Sequence, residues 1–98
     1  KMAQTVSECL TAATDSVTVI NDINSKGLSS THISASDPSK GVTQADANAR
    51  VKANVDHLTT ILAYDGTNDT PNIKDASDDK SSYTTAINTG NTYISNNS

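Results

Sequence analysis

The stretch "VDHLTTILAYDG", residues 55–66, is the densest apolar part of the chain and decides the fold. It completes a series of apolar residues that recur every three or four positions, the spacing of one helix face. Thr43 can cap this helix, and Asp46 stands where a capping box carries its acid. Gly66 is suited to end it. We predict a helix over 43–65, with apolar face Ala47, Val51, Val55, Leu58, Ile61 and Leu62.

A first helix is predicted upstream, over about 3–24. Its apolar positions again step by three or four, and Gly27 follows as a residue that tolerates the left-handed conformation at helix ends. Cys9 lies beside this apolar stripe, and Met2 continues it by one step. The stripe consists of Val6, Leu10, Ala13, Val17 and Ile20.

A third helix is predicted over 77–95, where Tyr83, Ile87, Gly90 and Ile94 keep helical spacing. Asp78 and Asp79 suit the N-terminus of a helix. Gly90 lies on the apolar seam, where the missing side chain would let a neighbouring helix approach closely. The β-branched and aromatic content of this segment leaves a strand as the alternative.

The connections between these helices are polar and unequal in length. The first, 25–42, is long for a compact bundle, and its "STHISAS" (30–36) alternates enough to predict a short strand. The second, 66–76, contains Pro71 as a breaker. We therefore predict one domain, 1–98, that is an all-α three-helix bundle with a long polar first connection. The alternative is an α+β fold with a long N-terminal helix and a small strand-containing head.

Composition narrows the class of partner. The net charge is −4 and the seven basic residues are scattered, so the basic stripe that nucleic acid requires is missing. An anionic membrane surface is disfavoured for the same reason, and no apolar run is long enough to span a bilayer. Because the chain opens on Lys1 with no recognisable signal peptide, we expect a processed or shortened product.

Asp56 and His57 look at first like a catalytic pair. Adjacent helical residues point about 100° apart, so these two side chains cannot form a dyad with each other. Asp56 should be solvated, whereas His57 lies on the flank of the apolar stripe. Arg50 and Tyr64 lie one heptad to either side of His57. Arg50, His57 and Tyr64 are therefore predicted to form a contact ridge for a partner.

A catalytic cysteine is not predicted. A nucleophilic site would pair Cys9 with His32 or His57, the two histidines of the chain. Cys9 belongs to an apolar stripe, where a free thiol behaves as a small buried hydrophobe. An intermolecular disulfide is the alternative if that stripe faces a partner. We predict that the chain is not an enzyme and has no catalytic residues.

Metal and cofactor sites are not predicted either. "DINSKG" (22–27) resembles the opening of a calcium loop, but Lys26 and Ile33 occupy positions where the cage needs oxygen ligands. The carboxylates of 65–79 could form a loose calcium site, although helix capping and solvated loops explain them better. Asn68 and Asn96 stand in glycosylation triplets, whose use depends on the source of the chain. Asn54 falls inside the apolar stripe, where it would either fix helix register or line a small cavity.

The segment "AQTVSECLTAATDSVTVINDI" (3–23) resembles the exposed half of the long N-terminal helix of type IV pilins. In that family the amphipathic helix continues an apolar assembly half and packs on a globular head. The resemblance covers about a fifth of the chain. The chain departs from the pattern because it lacks the apolar half and the pair of C-terminal cysteines, and because 43–95 is predicted helical where the pilin head is a sheet.

These features predict a non-enzymatic extracellular or surface-exposed structural or adhesive module, such as a subunit of a pilin-like filament. The polar, uncharged surface motivates this expectation, since Ser, Thr and Asn supply 37 of the 98 residues. A protein partner or self-assembly is expected. The alternative is a small secreted helical carrier that binds an apolar ligand between its helices, with Gly90 and Asn54 near the cavity.

Overall fold

The computed structural model describes residues 4–98. It contains three α-helices, α1 (Val6–Lys26), α2 (Gln44–Leu62) and α3 (Ser81–Asn96), and a 3₁₀ turn at Gly27–Ser29. Each helix packs against the other two. The prediction of an all-α three-helix bundle is confirmed, and the strand alternative for the third segment is wrong. Ala3, the first residue of the first predicted helix, and Met2, one step before it on the apolar stripe, lie outside the described residues.

Capping boxes start the first two helices. Thr43 and Asp46 cap α2 as predicted, with Thr43 Oγ1 accepting from the Asp46 N–H and the Asp46 carboxylate accepting from the Thr43 N–H. Thr5 and Glu8 make the same pair of bonds at α1. Each box satisfies two N–H groups that would otherwise lack a partner in the helix. Gly27 ends α1 with φ +58°, as predicted.

The later boundaries differ from the predicted ones. α2 ends at Leu62 rather than 65, because the N–H of Tyr64 bonds to the carbonyl three residues back and its own carbonyl accepts from Ile73 and Lys74. α3 begins at Ser81 rather than 77. Asp79 lies just before it and accepts the Ser81 N–H at 2.9 Å. The end of α2 and the start of α3 are therefore set by contacts with the second connection. Helical periodicity carries no information about such contacts.

The first connection runs across the bundle without regular structure from residue 30 to residue 43. The short strand predicted at 30–36 is wrong. Hydrogen bonds to α2 hold this segment instead, with Ser36 Oγ donating to Asp46 at 2.7 Å and Arg50 Nε donating to the His32 carbonyl at 3.1 Å. Ile33 is buried and anchors the connection to the core. Arg50 lies four residues after Asp46 in α2, but each side chain bonds to the first connection and the two form no ion pair.

The second connection, residues 63–80, is anchored by one side chain. Ile73 is fully buried, and its N–H donates to the Tyr64 carbonyl at 2.9 Å. A single antiparallel bridge joins Asp65 to Asn72 beside it. Each connection thus contributes an isoleucine to a core that helical side chains otherwise fill.

Gly90 brings α3 close to α2, as its position on the apolar seam predicted. A Cβ atom there would lie 2.5 Å from Val55 Cγ2 and 3.1 Å from Val51 Cγ1. Ordinary carbon contacts are about 3.5–4.0 Å, so no larger residue fits without movement of the neighbours. The missing side chain is what allows this packing.

Candidate functional site

An open groove of about 520 Å³ lies between the first half of α1 and the start of α3. Its floor is apolar, formed by Val6, Leu10 and Tyr83. Tyr83 itself is buried, and its hydroxyl approaches the Leu10 carbonyl at 3.5 Å and Thr14 Oγ1 at 3.4 Å. These contacts place the Tyr83 hydroxyl against α1. We refer to this feature as the α1–α3 groove.

The rim of the α1–α3 groove is acidic. Asp15 and Asp78 line it, and no lysine or arginine among residues 4–98 does. Within residues 4–98, neither carboxylate makes an ion pair or accepts a hydrogen bond. Thr11 also lines the groove, with its hydroxyl donating to the Ser7 carbonyl at 3.0 Å. The groove therefore combines an accessible apolar floor with two carboxylates that are free to accept a cation.

A second groove, of about 370 Å³, lies at the end of α2 and has a different charge pattern. Leu62, Ala63 and Ile87 form its apolar part. Asp65 and Lys74 both line it, so its charges balance. The α1–α3 groove is the more distinctive of the two because the charged residues that line it within 4–98 are both acidic.

The predicted ridge residues each have an intramolecular role. Arg50 holds the first connection through the His32 carbonyl, and His57 Nδ1 lies 3.0 Å from Ser16 Oγ. Tyr64 lies beyond the end of α2, so the helical heptad that was to align the three residues stops before it. The ridge as a partner contact stays a prediction.

The contact between Ser16 and His57 joins α1 to α2. Ser16 is only 3% exposed, so its hydroxyl is not presented to a substrate. Asp56 points away, as predicted, and pairs with Lys52 at 3.1 Å. Ser16 was not predicted from the sequence as part of a polar contact. The one indication of it was its position as a polar residue beside the apolar stripe of α1. The pair therefore serves as a polar link between two helices.

Cys9 lies in the core, as its position in the apolar stripe predicted. Its side chain is 1% exposed, and its Sγ is 3.7 Å from Gln4 Oε1. Burial, reinforced by the nearby Glu8 carboxylate, raises the pKa of the Cys9 thiol. Since thiolates are the reactive form, burial and this shift both oppose reaction with solvent oxidants or another chain.

Asn54 is buried on α2 and is satisfied within its own helix, where Nδ2 donates to the Arg50 carbonyl at 2.9 Å. The space beside Gly90 is filled by Val51, Val55 and Ile20. The location expected for a ligand cavity is thus occupied by core side chains. Asn68 is exposed in the second connection with φ +54°, whereas Asn96 is the last residue of α3.

Within residues 4–98, no group of three or more His, Cys, Asp or Glu side chains is placed to hold a metal ion. Asp22, which opens the calcium-like "DINSKG", instead pairs with Lys26 at 2.9 Å and accepts from Ser30. None of the helices in this part of the chain has the length and apolarity needed to cross a membrane. Comparisons with known protein families, curated proteins and solved structures found no match.

Hydrogen bonds lower the pKa of four aspartates below the usual value of about 3.9. Ser30 and Lys26 act on Asp22, Ser36 and Thr43 on Asp46, Thr67 on Asp65, and Ser81 on Asp79. Each bond favours the ionised carboxylate. These bonds tie the first connection to α1 and α2, hold a turn within the second connection, and join that connection to the start of α3.

We expect the fold to lose stability on acidification below about pH 4. A lowered pKa in the folded state stabilises the fold above the unfolded-state pKa, and that contribution disappears as pH falls through the folded value. Thermal unfolding followed by circular dichroism from neutral to acidic pH measures this loss. Asp46→Asn should weaken the acid dependence, whereas Asp56→Asn, on the exposed face of the same helix, serves as the matched control. An identical dependence in both variants would contradict the assignment to Asp46.

Proposed function

We propose that the chain is a non-enzymatic structural or adhesive module, extracellular or exposed at a cell surface, that works by assembling with protein partners. A subunit of a larger assembly, such as a pilin-like filament, fits this proposal. The observation that carries it is the α1–α3 groove. Its floor presents two partly exposed apolar side chains, Val6 and Leu10, within a polar surface, and a protein partner would cover them.

The character of the surrounding surface supports the same proposal. The exposed hydroxyls of Thr11 and Thr18 donate to carbonyls of α1 itself, four residues back. Such side chains cover the helix without adding charge or an unused donor proton. Close approach of a second protein would then bury few polar groups without partners, which lowers the cost of forming an interface.

We expect the isolated chain to gain stability on assembly, so that its melting temperature rises with protein concentration. Circular dichroism melts at several concentrations, combined with sedimentation velocity, measure this directly. A melting temperature and a sedimentation coefficient that both stay constant with concentration would contradict assembly of the chain with itself. If neither the melting temperature nor the sedimentation coefficient changed when candidate protein partners were added either, the proposal as a whole would be contradicted.

A further inference from the structure

Leu28 is the one large hydrophobic side chain that is well exposed among the residues described, at 44%. It lies in the 3₁₀ turn that directly follows α1. Lys26 is two residues away, with a side chain that is 56% exposed. We call Lys26 and Leu28 the α1 knob. It consists of an exposed apolar side chain and an exposed ammonium group at the end of α1.

The α1 knob and the α1–α3 groove are chemically complementary. The groove offers an apolar floor at Val6 and Leu10 and the carboxylates of Asp15 and Asp78 at its rim. Lys26 pairs with Asp22, but an ammonium group has three donors and can join a second carboxylate. We propose that the groove of one chain binds the α1 knob of a second copy, with Leu28 on the apolar floor and Lys26 at the acidic rim. This inference rests on the proposed function and names the partner.

The positions of the two features determine the kind of assembly. The groove involves residues 6–15 of α1, whereas the knob follows the last residue of that helix. From Asp15 to Leu28 is 13 residues, or about 20 Å at the helical rise. Knob and groove therefore lie toward opposite ends of the bundle. In a contact between unlike surfaces copies add head to tail, and every assembly that does not close into a ring keeps one groove and one knob free at its ends.

The second groove is a poorer acceptor for the knob. Lys74 lines it and would repel Lys26, while Asp65 already accepts two hydrogen bonds from Thr67. Like charges brought together at a contact disfavour the wrong partner surface. The charge pattern thus favours the α1–α3 groove over the second groove.

The test is sedimentation velocity of the whole chain from about 10 μM to about 1 mM, because small contacts associate weakly. Leu28→Ser removes the apolar part of the knob at an exposed position. Thr11→Arg fills the groove and places a guanidinium four residues from Asp15, within reach of a helical i,i+4 pair. Thr59→Arg is the matched control, since Thr59 is also exposed with its hydroxyl on the carbonyl four residues back, and it lines the second groove.

We expect the native chain and Thr59→Arg to form a concentration-dependent series of oligomers. Leu28→Ser and Thr11→Arg should each weaken association by about tenfold or more, with unchanged helical circular dichroism. An equimolar mixture of these two variants should form a dimer and nothing longer, because it holds one intact groove and one intact knob per pair. Failure of the mixture to form a dimer would overturn the head-to-tail contact.

The two proposals fail in different ways. If the native chain associates and both variants associate equally well, the knob and groove are not the contact, while the proposed assembly stands. If Thr59→Arg alone prevents association, the second groove is the acceptor and the inference is overturned. If the native chain stays monomeric throughout, assembly of the chain with itself is overturned together with this contact.

Discussion

Replacing Ile73 by alanine is expected to destabilise the fold by about 2–5 kcal/mol, the range for truncating a fully buried aliphatic side chain. Ile73 is the only buried side chain of the second connection, although its neighbours in the sequence are polar. Its removal leaves a cavity beneath the connection and weakens the hold on the turn that ends α2. Urea unfolding followed by circular dichroism measures the change in the free energy of unfolding.

Ile94→Ala is the matched control, because it makes the same truncation at a half-buried position near the end of α3. Its cost should be clearly smaller, since less apolar surface is lost from the core. Amide hydrogen exchange adds a local readout. The N–H of Ile73, which donates to the Tyr64 carbonyl, should be protected in the native chain. Equal costs for the two substitutions would show that the second connection is not anchored in the core.

The helices were predictable because their information is local. The spacing of apolar residues in α2, its Thr43 and Asp46 capping box, and the stop at Gly27 each involve residues within a few turns. Short-range periodicity and capping chemistry are enough to identify such features. The close approach at Gly90 could be anticipated for the same reason, from its place on an apolar seam.

The connections were not predictable, because long-range contacts decide them. Ile33 and Ile73 carry no periodic signal, and only the folded bundle shows that both enter the core. The strand predicted at 30–36 fails because its polar groups find partners on α1 and α2 rather than on a second strand. An isolated isoleucine within a polar connection was the available signal, and it is a weak one.

The candidate site shows the same division. Sequence placed Val6 and Leu10 on an apolar stripe but could not tell that Tyr83 and Asp78 lie beside them. The groove is lined by residues 6–15 of α1 and by Asp78 and Tyr83, more than 60 residues later in the sequence, so no local motif encodes it. The predicted ridge assumed one continuous helix through residue 64. α2 ends at Leu62, however, and Tyr64 belongs to the second connection. A surface formed by elements that are far apart in the sequence can therefore be recognised only once the fold is known.

Gly90→Ala is expected to destabilise the fold by about 2 kcal/mol, although alanine is the better helix former. The gain in helix propensity is about 1 kcal/mol, whereas overpacking a close contact costs about 1–3 kcal/mol or more. The alanine Cβ would lie 2.5 Å from Val55 Cγ2, so the cost at this site lies near the upper end of that overpacking range. Val55 cannot move aside easily, since a β-branched side chain has one preferred rotamer in a helix.

Asn91→Ala, at the next and exposed position of α3, is the control for helix propensity and should be neutral or slightly stabilising. The sharper test is Gly90→Ala in a Val55→Ala background. Removing Val55 Cγ2 takes away the 2.5 Å contact and leaves Val51 Cγ1 at 3.1 Å, which a small shift relieves. The same substitution should then be neutral or stabilising by up to about 1 kcal/mol. This change of sign separates a steric conflict at the α2–α3 contact from a general effect on helix formation, because only the steric conflict depends on Val55.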